Sequence, residues 1–501
     1  MADHRDESKP SVSNFSVPPE NIPGVLGAAT RFRMERFDGA TFRPLVPKAE
    51  VRQEGGTPVD VVVVNVSQSG AALRWPPGGG VPRKGDALEV KLSIGPIRLW
   101  DGPATAIRVE SDRVGVSFPG LVDLDTAIDV ARVAAWQTPN DALEARTPPA
   151  DGLELVKSLL ADFRLLLEDV QVRTARMERE LPLAAWRDTA PAAMAAVGAR
   201  IEADVLAPML ELSEAINGAY LAAGAPSARL GPWARRLLHD HLLTSPFMAR
   251  ALEKPLRYPG DYLLMNYIYR DSFAGDSLFA RVMTLFGTRN RTGLAVRSRK
   301  GMIREELIAL LDRRAGSTDP VRILAVAAGP AEEAWELLTG GHPIRCPVEI
   351  VLFEQDRAAL TFAYRRLQKA LDLHPNPNVS LQFRNDSVTR LIYSGPDPVD
   401  VGRYDAIYSC GLFDYFGAPA WSRVARALGD YLGPGGTLWI GNMVPENSAR
   451  WFMELHLDWH LRYRTEAETL DLARKATADL AVRIQRDPTG LNPFARFEKA
   501  Q

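Results

Sequence analysis

The sequence predicts a multidomain protein with a small antiparallel β-barrel, a helical region and an α/β domain. Its 501 residues allow three domains at about 150 residues each. Short β-branched runs separated by Gly and Pro occupy the N-terminal part, and strands alternate with helical stretches in the C-terminal part. We predict a disordered tail over 1–24, the barrel with a C-terminal helix over 25–137, a linker over 138–152, the helical region over 153–318 and the α/β domain over 319–501.

Composition excludes several classes of protein. The chain is 46% hydrophobic and 24% charged, with a formal net charge of −2, so it has no bulk attraction to nucleic acid or to a membrane. Two cysteines, Cys346 and Cys410, cannot build a disulfide framework or a four-ligand zinc site, and they suit a reducing cytoplasm. We find no signal peptide and no membrane-spanning run, and we expect a soluble cytoplasmic protein.

The N-terminal part has the sequence pattern of a β-barrel. A β-branched run over 59–66 is followed by a Ser-Gln-Ser-Gly turn and a strand over 71–75. Further strands are predicted over 87–94, 97–100, 104–110 and 113–118, and a helix over 121–136. Short strands separated by Gly and Pro turns favour a small antiparallel barrel.

A short motif inside this stretch indicates a ligand. Asn65-x-Ser67-x-x-Gly70 fits the (D/N)-x-S-x-x-G motif of the PilZ domain, a bacterial module that binds cyclic di-GMP, and the stretch resembles that family. The resemblance implies that Asn65, Ser67 and Gly70 bind cyclic di-GMP together with arginines from an R-x-x-x-R loop. Here Arg43 stands at the second arginine position, but Gly39 stands at the first, and Arg36 is the substitute we consider. The alternative is a barrel that serves only interdomain contact.

A helical region follows the linker. Apolar residues between Leu155 and Val170 recur at the spacing of a buried helical stripe. Further helices are predicted over 184–223, 231–243 and 296–313. His239 and His241 lie two apart and would face different ways on a helix, so we predict no metal site there. For His456 and His460 no third ligand is evident, and we predict none there either.

The segment from Tyr258 to Tyr262, with the sequence Tyr-Pro-Gly-Asp-Tyr, interrupts the helical region. It is either a turn that leads into a buried helix or a loop that brings Asp261 and Tyr262 over a cofactor cleft. The residues alone leave both interpretations open.

The C-terminal part alternates strands and helices. Strands are predicted over 322–326, 348–353, 379–383, 404–409 and 436–442, and helices over 331–339, 356–371, 418–432 and 446–460. This alternation predicts a mostly parallel, Rossmann-like sheet with helices on both faces.

Two strand ends indicate a nucleoside site. Gly329 and Pro330 break the chain between the first strand and its helix, which presents a helix N-terminus to a ligand. Glu354 ends the second strand, near the spacing of about 20 residues at which such folds place an acid for ribose hydroxyls. After the third strand, Asp386 could accept from an adenine amino group.

Residues 250–475 also resemble a bacterial family of class I S-adenosylmethionine-dependent methyltransferases, some of which make 3-hydroxypalmitic acid methyl ester. The matching segments include 257–262, 328–331, 353–356, 407–415, 432–436 and 458–464. In the general class I pattern, glycines stand where Ala327 and Ala331 stand here, and an acid stands at Ala325.

This resemblance implies S-adenosylmethionine as the cofactor. The cofactor-binding residues would be Ala327, Gly329, Pro330, Glu354, Gln355, Asp386, Ser387, Ser409 and Gly411. The acceptor pocket would be formed by the catalytic candidates Asp414, Tyr415, Asp261 and Tyr262. A carboxylate acceptor is already charged and needs no base, whereas a hydroxyl acceptor needs Asp414 or a histidine to take its proton.

The function predicted from these features is a methyltransferase for a small-molecule or fatty-acid-like carboxylate or hydroxyl, regulated by cyclic di-GMP through the barrel. A homodimer is compatible with the sequence. The alternative is a non-catalytic cyclic di-GMP receptor that uses a degenerate methyltransferase fold for protein contacts. A third hypothesis, an NAD-dependent dehydrogenase, lacks the full G-x-G-x-x-G pattern.

Overall fold

The structure is a computed structural model. It describes residues 25–26, 37–38, 45–67, 69–78, 80–120, 122–124, 126–127, 130, 153–180, 198–256, 258–388 and 400–501. The chain divides into two compact units: Phe32–Thr147 is one, and Met1–Arg31 with Pro148–Gln501 is the other. The predicted tail and linker, most of the predicted helix over 121–136, and both Arg36 and Arg43 lie outside the described residues.

The smaller unit is a closed antiparallel barrel. Its strands are β2 Phe37–Asp38, β3 Pro47–Gln53, β4 Val59–Ser67, β5 Gly70–Arg74, β6 Ala87–Ile94, β7 Ile97–Glu110 and β8 Arg113–Ser117. The order β4-β3-β6-β7-β8-β5 closes because β5 also pairs with β4, and β2 pairs with β4 outside this ring. The predicted small barrel is confirmed. The two strands predicted over 97–100 and 104–110 are one strand, because β6 stays paired with β7 across Gly102 and Pro103.

Alternating burial fills the barrel. Along β6 the buried side chains are Leu88, Val90, Leu92 and Ile94, and the residues between them are more exposed. Gly70 is required by a close approach of β5 to β8, because a Cβ there would lie 2.1 Å from the carbonyl oxygen of Val116.

The larger unit begins with the strand β1 Val25–Leu26 and continues with helices. They are α1 Glu154–Glu180, a π-turn Glu202–Leu206 that leads into α2 Ala207–Ala222, α3 Ser227–Leu242, α4 Pro246–Glu253, α5 Tyr262–Tyr269, α6 Leu278–Arg289 and α7 Arg291–Arg313. The buried stripe of α1 runs through Val156, Leu160, Phe163, Leu167 and Val170, so the predicted stripe is wrong by one residue at its start, where Leu155 is exposed.

The rest of this unit is an α/β sheet. Its strands are β9 Val321–Val326, β10 Val348–Glu354, β11 Val379–Asn385, β12 Tyr404–Ser409, β13 Leu432–Gly441, β14 Ala481–Gln485 and β15 Phe494–Glu498. The order is β1-β11-β10-β9-β12-β13-β15-β14; β15 runs antiparallel to both neighbours, and the other pairs are parallel. The predicted parallel strands are confirmed, and the β14–β15 hairpin was not predicted. The order reverses between β9 and β12, where doubly wound sheets bind ligands at the carboxyl ends of their strands.

Helices cover both faces of the sheet, and one joins the helical region to it. They are α8 Glu332–Thr339, α9 Arg357–Leu373, a 3-10 turn Phe413–Tyr415, α10 Ala418–Asp430, α11 Arg450–His456 and α12 Glu466–Ala476. Trp451 and Phe452 of α11 share one apolar core with α1 and α6. The ring centroids of Phe163 and Trp451 lie 5.7 Å apart. The helical region is therefore packed onto the same unit that carries the strand ends.

Two histidines are held in this core between α3 and α11. His456 is fully buried, and neither of its ring nitrogens has a hydrogen-bond partner among the described residues. His239 contacts the carbonyl oxygen of His456 through Nε2 at 3.2 Å. Burial lowers the pKa of His239 to about 4 and holds the pKa of His456 well below its usual range. Both rings are therefore neutral in the folded protein near pH 7.

Acid should destabilise the protein through His456. The folded-state pKa lies below the unfolded value, so the unfolded chain binds more protons once the pH falls below about 6.5, and stability is lost on acidification. At pH 5 this loss should reach up to about 2 kcal/mol relative to pH 7.5. In urea unfolding, His456→Leu should lose less stability between these two pH values than the wild type. His460→Gln, at a side chain that is 50% exposed, is the control; equal pH dependence in all three proteins would contradict the prediction.

Candidate functional site

The turn between β9 and α8 has a backbone conformation that normally requires glycine. Ala327, Gly329 and Ala331 all have φ of 53°. An L-residue in this left-handed region costs about 1–2 kcal/mol, so two alanines hold a strained conformation here. The amides of Ala327 and Ala328 donate to the carbonyl oxygen of Phe353 at 2.8 and 3.3 Å, which ties the turn to β10.

Gly329 borders open space. A Cβ added there would meet no atom of the described residues within 4 Å, so they do not crowd this position. Its backbone can therefore be approached closely by a ligand, which is the use that glycine turns have at the switch point of such sheets.

Glu354 lies beneath this turn. Its side chain is 7% exposed; Oε2 accepts from the amide of Gly329 at 2.9 Å, and Oε1 accepts from the amide of Asp356 at 2.9 Å. Burial raises the pKa of this carboxyl to about 7, and the backbone donors oppose that rise. The carboxylate is thus fixed at the end of β10, beside the open backbone of the turn.

The ends of β10 and β11 are tied to each other. Asn385 donates through Nδ2 to the carbonyl oxygens of Glu354 and Gln355 at 3.0 and 3.1 Å. The Oγ of Ser387 donates to Oε1 of Gln355 at 3.0 Å, and the amide of Asp386 donates to the carbonyl oxygen of Glu354 at 3.2 Å. The structure therefore brings four of the predicted cofactor residues to one edge of the sheet.

Tyr258 connects the helical region to this edge. Its hydroxyl donates to Oδ2 of Asp356 at 2.7 Å. Asp356 caps α9 through Oδ1, and its amide donates to Glu354. Sequence reasoning did not assign Tyr258 or Asp356 to the site, although both stand in segments that carry the methyltransferase resemblance. Their pairing across 98 positions has no local signal.

Asp261 and Tyr262 stand at the start of α5. Asp261 is 2% exposed; its Oδ1 accepts from the amide of Leu264 at 2.8 Å, and its two oxygens accept from Arg250 at 3.0 and 2.9 Å. The ring centroid of Tyr262 lies 5.3 Å from that of Phe362. Burial raises the pKa of Tyr262 to about 12. In this conformation the aspartate caps a helix and the tyrosine packs; their place in an acceptor pocket stays a prediction.

Asp414 and Tyr415 stand on the 3-10 turn that follows β12. Asp414 is 3% exposed, and its Oδ1 accepts from the amide of Met443 at 2.7 Å. Burial raises the pKa of Asp414 to about 6. Tyr415 donates to the carbonyl oxygen of Pro259 at 3.3 Å and accepts from Trp459 at 2.9 Å. The sheet side and the segment 258–262 therefore meet at Tyr415.

The end of β12 carries one buried hydroxyl without a hydrogen-bond partner among the described residues, and a buried arginine lies beside it. Ser409 is fully buried, and its Oγ has no hydrogen bond within the described part of the chain. A Cβ at Gly411 would lie 2.9 Å from Nη2 of Arg299, so the guanidinium lies against this glycine. Sequence reasoning missed Arg299, because nothing distinguishes it from the other arginines of its helix.

In the barrel, Asn65 and Ser67 lie on β4, and Gly70 begins β5. The Oγ of Ser67 donates to the carbonyl oxygen of Gly70 at 3.1 Å and closes the turn between these strands. Asn65 is half-buried and pairs with Ala72 of β5. The motif thus lies together at one end of the β4–β5 hairpin.

The described residues show neither a metal site nor a membrane-spanning helix. They contain no group of three His, Cys, Asp or Glu side chains placed to hold a metal ion. None of their helices combines the length and the apolar composition that crossing a membrane requires.

The sheet order and the turn define an α/β domain of the doubly wound class, joined in one chain to a closed barrel. Residues 35–132, which include that barrel, match the family model of the PilZ domain. Among curated proteins, none matches this chain.

Several solved structures are similar to the chain at low identity. A possible exported protein from Bordetella parapertussis has 20% identity and a TM-score of 0.42, covering 62% of this chain and 100% of its own. The 1,6-didemethyltoxoflavin-N1-methyltransferase of Burkholderia thailandensis has 17% identity and a TM-score of 0.28, covering 42% and 87%. The magnesium protoporphyrin IX methyltransferase of Synechocystis PCC 6803 has 12% identity and a TM-score of 0.30, covering 41% and 85%. Likenesses this distant do not carry an argument about function.

Removing the hydroxyl of Tyr258 should loosen the segment 258–262. Tyr258→Phe deletes a hydrogen bond to a carboxylate and should cost about 1.5–3 kcal/mol in the local opening of this segment. Amide hydrogen exchange over α5 should therefore accelerate, and Tyr267→Phe in the same helix is the matched control. Unchanged exchange in Tyr258→Phe would show that Pro259 and Tyr415 hold the segment without it.

Proposed function

We propose that the protein is an S-adenosylmethionine-dependent methyltransferase regulated by cyclic di-GMP through its PilZ-like barrel. The single observation that carries the proposal is the position of Glu354. Its buried carboxylate is held by the amide of Gly329 at 2.9 Å, at the switch point of the sheet and beside open space. A fixed acceptor for ribose hydroxyls beside an approachable backbone is what a nucleoside-containing methyl donor needs.

The residues present fit this donor. Glu354 would accept from the ribose hydroxyls, Asp386 would accept from the adenine amino group, and the backbone at Gly329 would lie along the amino-acid part. When bound, the donor supplies a methyl group on a sulfonium. The protein contributes orientation and exclusion of water, because transfer of that methyl group depends on alignment more than on acid or base chemistry.

For the acceptor we propose a small-molecule or fatty-acid-like carboxylate or hydroxyl, as the resemblance to enzymes that make 3-hydroxypalmitic acid methyl ester implies. Asp414 and Tyr415 on the sheet side and Asp261 and Tyr262 on the helical side would line its pocket. The contact between Tyr415 and the carbonyl oxygen of Pro259 at 3.3 Å supports a cleft closed from both sides. With its pKa raised to about 6 by burial, Asp414 could take a proton from a hydroxyl acceptor at neutral pH.

One observation favours the second candidate, a non-catalytic cyclic di-GMP receptor. Ala327 and Ala331 have the left-handed backbone conformation that glycine adopts more easily. The replacement of glycine by alanine would be tolerated in a site that no longer binds the methyl donor. Calorimetry with S-adenosylhomocysteine and cyclic di-GMP separates the two. Binding of cyclic di-GMP alone would favour the receptor.

Glu354→Ala should weaken the binding of S-adenosylhomocysteine by about 1.5–3 kcal/mol, the scale of a charge-assisted hydrogen bond. In the wild type, affinity should also fall as the pH drops through about 7, because protonation removes the charge that the ribose hydroxyls bind. Between pH 8 and pH 6 the loss should approach about tenfold. Glu349→Ala, at the opposite end of β10, is the control and should bind normally. An unchanged dissociation constant in Glu354→Ala would place the ribose site elsewhere.

Cyclic di-GMP should bind through Arg43, Asn65 and Ser67. Arg43→Ala should cost about 1.5–3 kcal/mol of binding, and Asn65→Ala about 0.5–1.5 kcal/mol, because the first removes a bond to a phosphate and the second a neutral one. Val62→Ala, at a β4 side chain that is 62% exposed, should bind like the wild type. No binding of cyclic di-GMP to the wild type at high micromolar concentration would leave the barrel with a structural role.

A further inference from the structure

Arg299 is a buried charge. It lies on α7 and is 6% exposed. Burial lowers the pKa of its guanidinium, but the attraction of neighbouring acidic groups, Tyr269 and Cys410 ahead of Asp414 and Glu333, outweighs burial and raises that pKa. Arg299 therefore carries a full positive charge at the carboxyl ends of the strands.

This charge is poorly satisfied within the protein. Among the described residues, its single hydrogen bond runs from Nη1 to Oδ1 of Asn492 at 3.3 Å. Its Nε is buried without a hydrogen-bond partner in the described part of the chain, and so is Nδ2 of the fully buried Asn492. A buried arginine that lacks an ion-pair partner is costly, and buried polar groups without partners call for an explanation such as a ligand or an ordered water.

The position of Arg299 suits one end of a ligand whose other end is at Glu354. The guanidinium lies against Gly411, just beyond β12, where a Cβ would approach Nη2 to 2.9 Å. β9 lies between β12 and β10 in the sheet, so the ends of β12 and β10 are separated by about 10 Å at the usual strand spacing. Arg299 and Glu354 thus flank the turn at Gly329 from opposite sides.

The neighbouring acids select the kind of anion. Glu333 is 4% exposed and accepts from Sγ of Cys410 at 3.5 Å, and Asp414 is 3% exposed. A purely anionic ligand would be repelled by these two carboxylates. A group that carries an ammonium beside its carboxylate, as an α-amino acid does, matches both signs of charge.

We propose that Arg299, with Asn492, forms a subsite for the carboxylate of a bound small molecule, in the first place the amino-acid end of the methyl donor. The two nitrogens without partners, Arg299 Nε and Asn492 Nδ2, are donors that this carboxylate would satisfy, in the manner of planar guanidinium–carboxylate pairs. Glu333 and Asp414 would face the ammonium. This inference rests on the proposed function and adds to it the residue that recognises the end of the donor remote from the nucleoside.

The test compares two probes that differ at this end. S-adenosylhomocysteine carries the amino-acid end, whereas 5′-deoxy-5′-methylthioadenosine carries the nucleoside alone. In calorimetry, Arg299→Gln should lower the affinity for S-adenosylhomocysteine by roughly 10- to 150-fold, the factor for one charge-assisted hydrogen bond. The affinity for methylthioadenosine should stay within about twofold, which also shows that the variant is folded at the nucleoside site.

Further variants separate recognition from general damage. Arg299→Lys keeps the charge but loses the planar fork, and its loss should be intermediate. Arg297→Gln removes a neighbouring arginine of α7 that donates to the carbonyl oxygens of Ile268 and Thr288 at 3.0 and 3.1 Å. It should leave the ratio of the two affinities unchanged.

A second binding experiment shows whether the carboxylate at Arg299 belongs to the methyl donor or to the methyl acceptor. Binding of 3-hydroxypalmitate in the presence of saturating S-adenosylhomocysteine reports on an acceptor carboxylate. If Arg299→Gln weakens the binding of 3-hydroxypalmitate but not that of S-adenosylhomocysteine, the subsite belongs to the acceptor. The proposal is wrong if Arg299→Gln changes neither the affinity for S-adenosylhomocysteine nor that for 3-hydroxypalmitate. It is also wrong if the variant weakens the binding of S-adenosylhomocysteine and methylthioadenosine equally. If the wild type binds neither nucleoside, it is the proposed function that fails.

Discussion

The hydrogen bond from the amide of Gly329 to the carboxylate of Glu354 is the contact on which the rest of the site depends. It joins the turn after β9 to the end of β10, and the second oxygen of Glu354 accepts from Asp356 at the start of α9. Asn385 adds the end of β11 by donating to the carbonyl oxygen of Glu354. The side chain of Glu354 thus ties the turn after β9 to the end of β10, and its backbone carbonyl ties in the end of β11. Burial raises the pKa of this carboxyl to about 7.

The helical region is held to this arrangement by polar contacts at its edge and by an apolar core behind it. Tyr258 reaches Asp356, and Tyr415 reaches Pro259, so the segment 258–262 is bound from both the β10 side and the β12 side. Behind the segment, Phe163 and Trp451 belong to a core that α1 shares with α11. Because burial of this apolar surface is not directional whereas hydrogen bonds are, the core holds the region in place and the hydrogen bonds set its register over the strand ends.

The sequence allowed the periodic features to be predicted, and it did not reveal the long-range pairs. The strands predicted over 322–326, 348–353 and 404–409 were found, to within one residue, because continuous apolar runs mark buried parallel strands. Glu354 was predicted as a cofactor residue because it ends the second strand and follows the turn at Gly329, and the structure places its carboxylate against the amide of that turn. The β14–β15 hairpin was missed, since each strand has only five residues and gives a weak periodic signal. The bond between Tyr258 and Asp356 and the burial of Arg299 arise from tertiary packing, and no local pattern encodes them.

The buried charges at these strand ends are better explained by the ligand that we propose than by folding alone. Glu354, Glu333 and Asp414 all have pKa values that burial raises, which means that each loses free energy as an anion in the folded protein. Arg299 is buried beside two of them without an ion pair in the described part of the chain. Apolar side chains of similar volume would fill the same space at lower cost. Natural proteins retain such unfavourable groups where function requires them, and the methyl donor that we propose, a zwitterionic nucleoside derivative, would offset these penalties at the strand ends.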